Sequence, residues 1–493
     1  MARKSKLIEA ACGTERRSTG YYSTPTFISD FIAKKMLEIN PSGKRVLDPC
    51  IGREEMVGAF SSNKKTIEGI DVIDFGSHPQ ANFWEGNFLE MYMQWKDADV
   101  SSDDMPDFSS FDYWIANPPY NCHEVDYIKN NKSKLKKSFS DVGVHNMYSM
   151  FLSAMIDMAT EGAVVGLIVF DSFLTSKAHS KLRQKIISQT TIHYLALCPT
   201  DLFRDQDADV RTCILIFEKG KREKVKIKSC NRPKRTQDLI CLFKNENFVS
   251  SDLQEIVLAG DKDNLEFLLD VPEDVRGLFS SLPRVGDIFP CITGISTGND
   301  KKYLSKNVAE GFSIPFYKNP GVRKFFTEPN AYLCNDFLDV SEKVSDFMVR
   351  NKKLLYKQGI TCSSMGVEFS ACFLPEKCTY GVNANIICEE QDIWWVLAYL
   401  NSKLATYIVR GVLNRSNMIT SGYVSRIPVP LFDSESKMKM ETLAKVAYEK
   451  AKLSQPIEGE MKAITKLVME KAKISTSTQK YINDFCEDLL RMT

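Results

Sequence analysis

The chain has 493 residues, more than one ordinary hydrophobic core accommodates, so two or three domains are expected. Apolar residues make up 43% of it, yet no stretch approaches the roughly 20 continuous apolar residues of a membrane helix, and residues 1–6 lack the apolar core of a signal peptide, which predicts a cytoplasmic protein with no membrane partner. The net charge of +1 excludes a globally basic chain, so affinity for a polyanion must come from local charge.

Residues 20 to about 230 alternate short apolar runs with helical patterns, which is typical of a mostly parallel sheet with helices on both faces. The clearest helix spans residues 145–160, where apolar side chains recur at helical spacing. The last strand and the basic run after it are expected to form a final hairpin pair. The candidate strands are residues 45–47, 67–70, 111–116, 164–170, 193–197 and 212–217.

The pattern changes after the basic run. Residues 240–435 show irregular short strands, many Gly and Pro residues and aromatic clusters, whereas residues 436–493 are rich in Lys, Glu, Met, Ala and Leu and should be helical. We therefore predict an α/β, Rossmann-like seven-stranded domain over residues 1–235, an α+β domain over residues 236–435 and a helical C-terminal segment over residues 436–493.

The first strand runs into a tight turn that contains Gly52 and then into a helix, which brings main-chain N–H groups close to a bound ligand. Asp48 closes this strand, and Asp71 closes the second strand, where an acidic side chain can accept hydrogen bonds from two ribose hydroxyls. Taken singly, an Asp at a strand end more often caps a turn or the next helix. Together with the motif after the 111–116 strand, the two residues predict a ligand crevice beyond the strand ends.

The most informative motif is Asn117-Pro118-Pro119-Tyr120, which follows the apolar strand 111–116. Methylation of an exocyclic amine needs acceptors for both of its N–H groups, because its lone pair is delocalised into the ring. The side-chain carbonyl of Asn117 and the main-chain carbonyl of Pro118 can accept them, and the prolines stiffen the turn. Tyr120 offers a ring on which a base can stack, a contact worth roughly 1–3 kcal/mol. The alternative is an ordinary turn with Tyr120 as its anchor.

With these motifs in this order, the chain resembles the adenine-N6 DNA methyltransferases of the gamma arrangement, in which cofactor motifs precede the catalytic motif and a target-recognition domain follows. The resemblance implies S-adenosylmethionine as the cofactor and a methyl transfer to a flipped adenine in duplex DNA. Residues 117–120 match the catalytic motif of the family. Residues at cofactor-binding positions of the family are Tyr22, Thr24, Asp48, Cys50, Gly52, Asp71, Asn87 and Asn117.

Two further matches involve short motifs. Tyr22-Ser23-Thr24-Pro25 resembles the N-terminal motif that touches the methionine part of the cofactor, although a helix cap is an equal alternative for four such residues. Phe203 resembles the residue that stacks on the extruded adenine opposite the catalytic tyrosine, here Tyr120. An isolated phenylalanine is more often a core residue.

Two positions depart from the family pattern. Glu54 stands where the cofactor loop usually has a second glycine, and its side chain is expected to crowd the methionine end. Asn87 stands where an acidic residue usually accepts from the cofactor adenine amine; its amide oxygen can still accept, without the gain from charge. Both changes predict weaker cofactor binding, and together they favour an alternative in which the chain is a DNA-binding specificity subunit with a degenerate methyltransferase half.

The second half resembles the target-recognition region of Taq-type and restriction-fused members of the family. Glycine- and serine-rich loops let a backbone approach DNA phosphates, and lysines near residues 301–324 could supply charge. The basic run 219–224 is either a phosphate-binding hairpin or a solubilising turn. The matching stretches are residues 293–300, 358–360, 369–371, 400–404 and 426–430.

The sequence therefore predicts a site-specific adenine-N6 DNA methyltransferase that acts by base flipping and belongs to a restriction-modification or phage-defence system. Its expected partners are double-stranded DNA and, as an open alternative, a separate restriction endonuclease or defence-complex subunits. No metal is expected, because the fourteen cysteines form no C-x-x-C pair and the reaction requires none. Enzymes that methylate RNA bases, protein amides or cytosine N4 remain as rivals.

Overall fold

The fold is given by a computed structural model, which describes residues 22–76, 78–97, 105–120, 126–206, 210–261, 263–365, 368–413 and 418–491. The chain divides into two compact units, Met1–Asp270 and Val271–Thr493, named unit 1 and unit 2 below. In the part of the chain that the structure describes, no helix combines the length and the apolar character needed to cross a lipid bilayer.

Unit 1 is built around a nine-stranded sheet. Its order is β3-β2-β1-β4-β5-β7-β6-β8-β9. The strands are β1 (Arg45–Asp48), β2 (Thr66–Asp71), β3 (Asn82–Glu85), β4 (Tyr113–Ala116), β5 (Val164–Phe170), β6 (Thr190–Leu197), β7 (Thr212–Lys219), β8 (Ile227–Cys230) and β9 (Val249–Ser251).

Strands β1 to β5 run parallel to one another, and β7 runs antiparallel to both β5 and β6. This confirms the expected α/β, Rossmann-like domain, whose seven strands end at β6; β8 and β9 extend the sheet. The expected hairpin between β7 and the basic run is wrong. Because β7 already has a neighbour on each side, β8 pairs with β6 instead, in parallel.

Helices cover both faces of this sheet, and the strands show why. Val46 and Tyr113 lie in one core cluster, whereas the adjacent Leu47 and Trp114 lie in the other, as expected for side chains that alternate along a strand. Helices α1, α2 and α8 contribute to the first cluster and α3 to α7 to the second. The helices are α1 (Thr26–Ile39), α2 (Gly58–Ser62), α3 (Phe88–Lys96), α4 (Asp126–Asn130), α5 (Lys132–Ser138), α6 (Met147–Met158), α7 (Ser180–Gln189), α8 (Thr236–Asn245) and α9 (Leu253–Ile256).

Helix α6 is the helix that the sequence predicts most clearly. It starts two residues later than the predicted range because Asn146 caps it, with its side-chain oxygen accepting from the N–H of Ser149 over 3.3 Å. Ten of its twelve residues are buried, including Phe151, Met155 and Met158, whereas Met147 at its first position is half-buried. The predicted core helix is therefore confirmed.

Unit 2 contains two four-stranded sheets, β10-β19-β16-β17 and β12-β14-β13-β18, and the strand pair β11-β15. Its strands are β10 (Cys291–Ile292), β11 (Ile295–Ser296), β12 (Leu304–Ser305), β13 (Phe312–Tyr317), β14 (Ala331–Cys334), β15 (Met348–Val349), β16 (Gly359–Cys362), β17 (Ala371–Leu374), β18 (Thr379–Tyr380) and β19 (Asn385–Ile387). Its helices are α10 (Glu273–Ser281), α11 (Val285–Ile288), α12 (Asp300–Tyr303), α13 (Phe337–Lys343), α14 (Glu390–Leu400), α15 (Lys403–Tyr407), α16 (Ser421–Val424), α17 (Ser434–Lys452), α18 (Glu458–Lys471) and α19 (Thr476–Arg491), with a π-helix at Ile408–Leu413.

The two units differ from the three predicted segments. Unit 1 extends to residue 270 rather than 235, because β8 and β9 join its sheet and the N–H of Phe267 donates to the carbonyl of Leu174. The helical segment that begins at α17 belongs to unit 2. There Trp394 of α14 stacks on Phe373 of β17 and contacts Tyr448 of α17, both at ring distances of 5.4 Å.

Candidate active site

Three polar residues that the sequence singles out lie at the carboxyl ends of neighbouring parallel strands. Asp48 is the last residue of β1, Asp71 is the last residue of β2, and Asn117 directly follows β4. Since β2, β1 and β4 are adjacent and parallel, all three residues share one edge of the sheet. This is the edge at which open sheets of this kind bind ligands.

Asp48 is fully buried and keeps one carboxylate oxygen without a protein partner. The main-chain N–H of the half-buried Cys50 donates to Oδ1 of Asp48 over 3.0 Å, whereas Oδ2 accepts no hydrogen bond from the described residues. Burial raises the pKa of Asp48 to about 8, and the carboxylate of Asp71 contributes in the same direction. A buried, unpaired acceptor at this edge is a position for a donor or a cation that the chain itself does not supply.

The turn after β1 is tied to the end of β2. Gly52 has a φ of 53°, a left-handed conformation that glycine adopts without steric penalty. Its N–H donates to Oδ2 of Asp71 over 3.0 Å, and the N–H of Ile73 donates to Oδ1 over 3.2 Å. Burial raises the pKa of the half-buried Asp71. The carboxylate is thus oriented by the protein and retains lone pairs for a ligand.

Glu54 does not stand free in this turn, contrary to the expectation that it crowds the cofactor loop. It adopts a φ of 63°, the left-handed conformation that a glycine would take there. Its carboxylate accepts hydrogen bonds from the N–H groups of Gln80 (3.1 Å) and Ala81 (3.0 Å), just before β3, and only 4% of the residue is exposed. Glu54 thus takes a backbone conformation typical of glycine, and its carboxylate binds the main-chain N–H groups that precede β3.

Asn87 occupies the start of α3 as its N-terminal cap. Its side-chain oxygen accepts from the N–H of Leu89 over 3.0 Å, and the residue is half-buried. A carbonyl oxygen has two lone pairs, so one acceptor position remains for a ligand amine. The geometry is compatible with the adenine-binding role that the resemblance implies.

The amide of Asn117 is held in one orientation. Its Nδ2 donates to the carbonyl oxygen of Tyr22 over 2.9 Å and to Oγ1 of Thr24 over 2.8 Å, so both of its hydrogens are used. Its Oδ1 is buried and has no hydrogen-bond partner among the described residues. The Asn117 side chain therefore presents a buried acceptor to which a ligand can donate a hydrogen bond. Thr24, predicted as a cofactor contact, also positions Asn117.

The rest of the motif is buried. Pro118 is buried, Pro119 is half-buried, and Tyr120 is only 5% exposed, with its hydroxyl donating to the carbonyl of Ile168 over 3.3 Å. The ring of Phe170, the last residue of β5, stacks on Tyr120 with ring centres 4.5 Å apart and an interplanar angle of 23°. One face of the tyrosine is thus already covered by a protein ring.

Phe203 does not face Tyr120 across an open slot. It is fully buried, and the ring of Tyr22 contacts both aromatic side chains, at 5.6 Å from Tyr120 and 5.9 Å from Phe203. The predicted stacking residues Tyr120 and Phe203 therefore lie in one aromatic cluster, in which the ring of Tyr22 contacts both of them. A base that stacks on Tyr120 requires the Tyr22 ring to move.

No sequence pattern indicates Gln206, which connects two of these parts. Its side chain accepts from the N–H of Ser23 over 2.9 Å and donates to the Ser23 carbonyl over 2.7 Å. It lies in the 3-10 turn Arg204–Gln206 that follows Phe203. The segment that orients Asn117 is thereby clamped to the turn that carries Phe203. The two residues are 183 positions apart, and no spacing pattern links them.

A buried polar network lies behind Phe170. The hydroxyl of Tyr148 lies 2.8 Å from Oγ of Ser172 and 3.3 Å from Nε2 of His179, and the Tyr148 ring packs edge-on against Phe170 at 5.8 Å. Burial lowers the pKa of His179 to about 3, so the imidazole is neutral at physiological pH. This network supports the aromatic ring on which Tyr120 stacks.

Comparisons with known proteins agree with this geometry. The model of the N-6 DNA Methylase family matches residues 6–263 of the chain. The Type II methyltransferase M.BanIII of Aneurinibacillus aneurinilyticus is 27% identical over 215 residues, which are 38% of this chain and 37% of that protein. The Type II methyltransferase M.BsuBI of Bacillus subtilis is 25% identical over 250 residues, or 45% of this chain and 48% of that protein. The chain thus spans less than half the length of either relative.

A solved structure resembles nearly the whole chain. The cryo-EM structure of a DrdV–DNA complex matches with a TM-score of 0.55 at 12% sequence identity, covering 88% of this chain and 58% of that one. At this identity the likeness concerns the fold, and it extends well beyond the residues that the family model matches.

Proposed function

The chain belongs to the N-6 DNA methylase family, and from this premise we propose that it transfers a methyl group from S-adenosylmethionine to N6 of a flipped adenine in duplex DNA. Unit 1 would carry the reaction and unit 2 the recognition of the DNA sequence. The most suitable setting is a restriction-modification or phage-defence system, in which a nuclease or another subunit would be a separate polypeptide.

The observation that carries the proposal is the orientation of Asn117. Both amide hydrogens are bound within the protein, and the unpaired Oδ1 is buried at the ligand edge of the sheet. An adenine N6 amino group is a donor that matches this acceptor, and the Pro118 carbonyl supplies the second acceptor in the proposed complex. Drawing both N–H groups toward acceptors favours a pyramidal nitrogen with its lone pair available, and positioning accounts for much of the acceleration.

The cofactor crevice has groups that fit S-adenosylmethionine. The unpaired buried oxygen of Asp48 suits a cationic or N–H donor, the oriented Asp71 carboxylate suits two ribose hydroxyls, and Asn87 has a free lone pair for the adenine amine. The turn at Gly52 and Cys50 would line the methionine portion. When bound, the cofactor supplies the activated methyl group. The capped conformation of Glu54 argues against a degenerate cofactor loop.

The aromatic cluster would receive the target base. Extrusion of a base costs a few kcal/mol, and stacking on an aromatic ring returns roughly 1–3 kcal/mol. In this proposal the Tyr22 ring leaves the space beside Tyr120, and the base enters between Tyr120 and Phe203. The clamp from Gln206 to Ser23 keeps the backbone of this segment in place, so that the carbonyl of Tyr22 continues to hold Asn117 while its ring moves.

Transfer of labelled methyl groups from S-adenosylmethionine to unmethylated duplex DNA tests the proposal, with digestion to nucleosides to identify the product. We expect N6-methyladenine from the wild type and loss of at least about a hundredfold in rate for Asn117→Ala, because one of two amine acceptors is removed. Asn245→Ala, at an exposed asparagine at the end of α8, is the matched control. Label in cytosine, in RNA or in protein, or equal rates for Asn117→Ala and the control, would overturn the proposal.

A further inference from the structure

A groove of about 720 Å³ lies against α4, α5 and the segment that leads to α6, within unit 1. Its lining includes Lys129, Lys132, Lys136, Ile128, Phe139 and His145. The described residues that line it include no acidic side chain. Ile128 and Phe139 are at most 2% exposed and form an apolar floor, whereas the three lysines are exposed. We call this feature the lysine groove.

The charge of this region is local and only partly compensated, since Lys137 lies 3.6 Å from Asp97 in a pair of exposed side chains. Residues 126–137 hold five lysines and one aspartate, although the whole chain carries a net charge of only +1. Lys132 and Lys136 form no ion pair within the residues that the structure describes. Lys129 lies 3.5 Å from Asp126, whose side chain is 91% exposed, so the pair contributes little and neutralises little.

A purely solubilising helix would present its lysines on a convex face. Here α5 is anchored by the fully buried Leu135, and Lys132 and Lys136, four residues apart, border a concave surface together with Lys129 of α4. Lysines around an apolar floor suit the backbone of a nucleic acid, because the ammonium groups can bind its phosphates while the floor contacts its sugars. Lysine ammonium groups are compact point charges without the fixed fork of arginine, so they suit contact with a backbone rather than with base edges.

The lysine groove is connected to the proposed active site. Helix α4 begins six residues after Tyr120 in the same crossover that follows β4. At the other end, the ring of His145 contacts His179 at 5.5 Å, His179 contacts Tyr148 at 5.7 Å, and Tyr148 reaches Tyr120 through Phe170. A strand in the groove would therefore lie a few side chains from the extruded base.

We propose that the lysine groove binds the phosphate backbone of the DNA next to the target adenine. The inference rests on the proposed function and adds to it a surface that no motif of the family resemblance covers. The groove would hold the strand in register after base extrusion, without reading its sequence. Its contribution should therefore be electrostatic and dependent on salt.

The test compares Lys132→Gln/Lys136→Gln with Lys462→Gln/Lys466→Gln. The second pair is also exposed and four residues apart on a helix, α18, and it forms no ion pair among the described residues, so both variants lose the same charge. Binding of a fluorescent 30-base-pair duplex is measured by anisotropy from 50 to 300 mM salt. Binding of S-adenosylmethionine and kcat at saturating DNA are measured in parallel.

We expect the first variant to bind DNA roughly tenfold to a hundredfold more weakly at 0.1 M salt, with a salt slope less steep by about two, since each phosphate contact contributes about 0.9. Cofactor affinity should stay at the wild-type value, kcat should fall because the groove also holds the strand after base extrusion, and the α18 variant should behave as wild type. An unchanged slope, or equal losses in both variants, would overturn the inference. Failure of the wild type to bind DNA would overturn the proposed function as well, and the wild-type data alone would reveal it.

Discussion

At the scale of single residues, the decisive feature is how Asn117 is oriented. The motif alone predicts an acceptor at this position, because the residue types after the strand suit an amine. The acceptors for its Nδ2, Tyr22 and Thr24, are 95 and 93 positions away in sequence. They meet Asn117 only because α1 packs against the sheet and delivers the segment before it to the carboxyl end of β4. The sequence thus predicts the acceptor at this position, whereas the orientation of its side chain depends on the tertiary structure.

Removal of the Thr24 hydroxyl should impair catalysis without preventing cofactor binding. Thr24→Val has nearly the same shape but leaves one hydrogen of the buried Asn117 amide without an acceptor, at a cost of about 1–3 kcal/mol that favours rotation of the side chain. We expect kcat to fall on the order of tenfold to a hundredfold, with Thr24→Ser close to wild type. A higher Kd for S-adenosylmethionine with unchanged kcat would instead assign Thr24 to the cofactor alone.

The buried carboxyl of Asp48 should make the stability of the cofactor-free protein depend on pH. Its pKa is raised to about 8 in the folded state, so between pH about 4 and 8 the folded protein retains a proton that the unfolded chain has lost. Stability must then fall as pH rises, by up to about 1.4 kcal/mol per pH unit.

Asp48→Asn cannot ionise and should gain in melting temperature over the wild type as the pH is raised from 5.5 to 8.5. Asp126→Asn, at an exposed aspartate, should show no such gain. A difference in melting temperature between the wild type and Asp48→Asn that stays constant over this pH range would show that the pKa of Asp48 is not raised in the folded protein.

At the scale of elements, the hydrophobic pattern of the sequence predicted the buried strands. It did not predict strand pairings that depend on tertiary contacts. Continuous apolar runs identify β4, β5 and β7, because each strand is buried on both faces. The position of β8 beside β6 could not be read from its residues. Two lysines of the basic run form hydrogen bonds within unit 1. Lys219 donates to the carbonyl of Ile156 over 2.7 Å, and Lys221 donates to the carbonyl of Ile187 over 2.8 Å, near the ends of α6 and α7. These lysines act as helix C-caps, which favours a structural role over phosphate binding.

One stretch that resembles the recognition region has a structural role in unit 2. Asn401 is fully buried at the end of α14, where its Oδ1 accepts from the N–H of Ala371 over 3.1 Å and its Nδ2 donates to the Ala371 carbonyl over 2.9 Å. It thus joins α14 to β17. This residue is not available for DNA contact, because its hydrogen-bonding groups are used within the fold.

Asn401→Ala should therefore destabilise unit 2. The substitution leaves the N–H of Ala371 without its buried acceptor, whereas the carbonyl of Ala371 still accepts from the N–H of Phe325 over 2.9 Å, and we expect a loss of about 1–3 kcal/mol. Urea unfolding followed by tryptophan fluorescence provides the measurement, since Trp394 and Trp395 lie on α14. The exposed Asn307→Ala is the control and should unfold as wild type. Equal midpoints for both variants would contradict the bridging role.

At the scale of the whole molecule, the two units are related to known proteins by different kinds of similarity. The family match covers residues 6–263 and thus most of unit 1, whereas unit 2 is related to known proteins through its fold. The sequence predicted a domain change after the sheet but placed it near residue 235, because short strands such as β9, with two of its three residues exposed, resemble loop sequence. In our proposal, sequence preference on DNA depends on loop side chains of unit 2, and no periodic pattern reports them.

Our proposal places methylation of adenine N6 at residues 117–120, in DNA that unit 2 recognises. Base-resolved mapping of N6-methyladenine in genomic DNA from an unmethylated bacterial host that expresses the chain alone tests it. We expect N6-methyladenine at one recurring short sequence, absent with Asn117→Ala and retained with Asn245→Ala. Methylation of cytosine, methylation of adenine without a common sequence, or unmethylated DNA in a host that holds folded, cofactor-binding protein would contradict it.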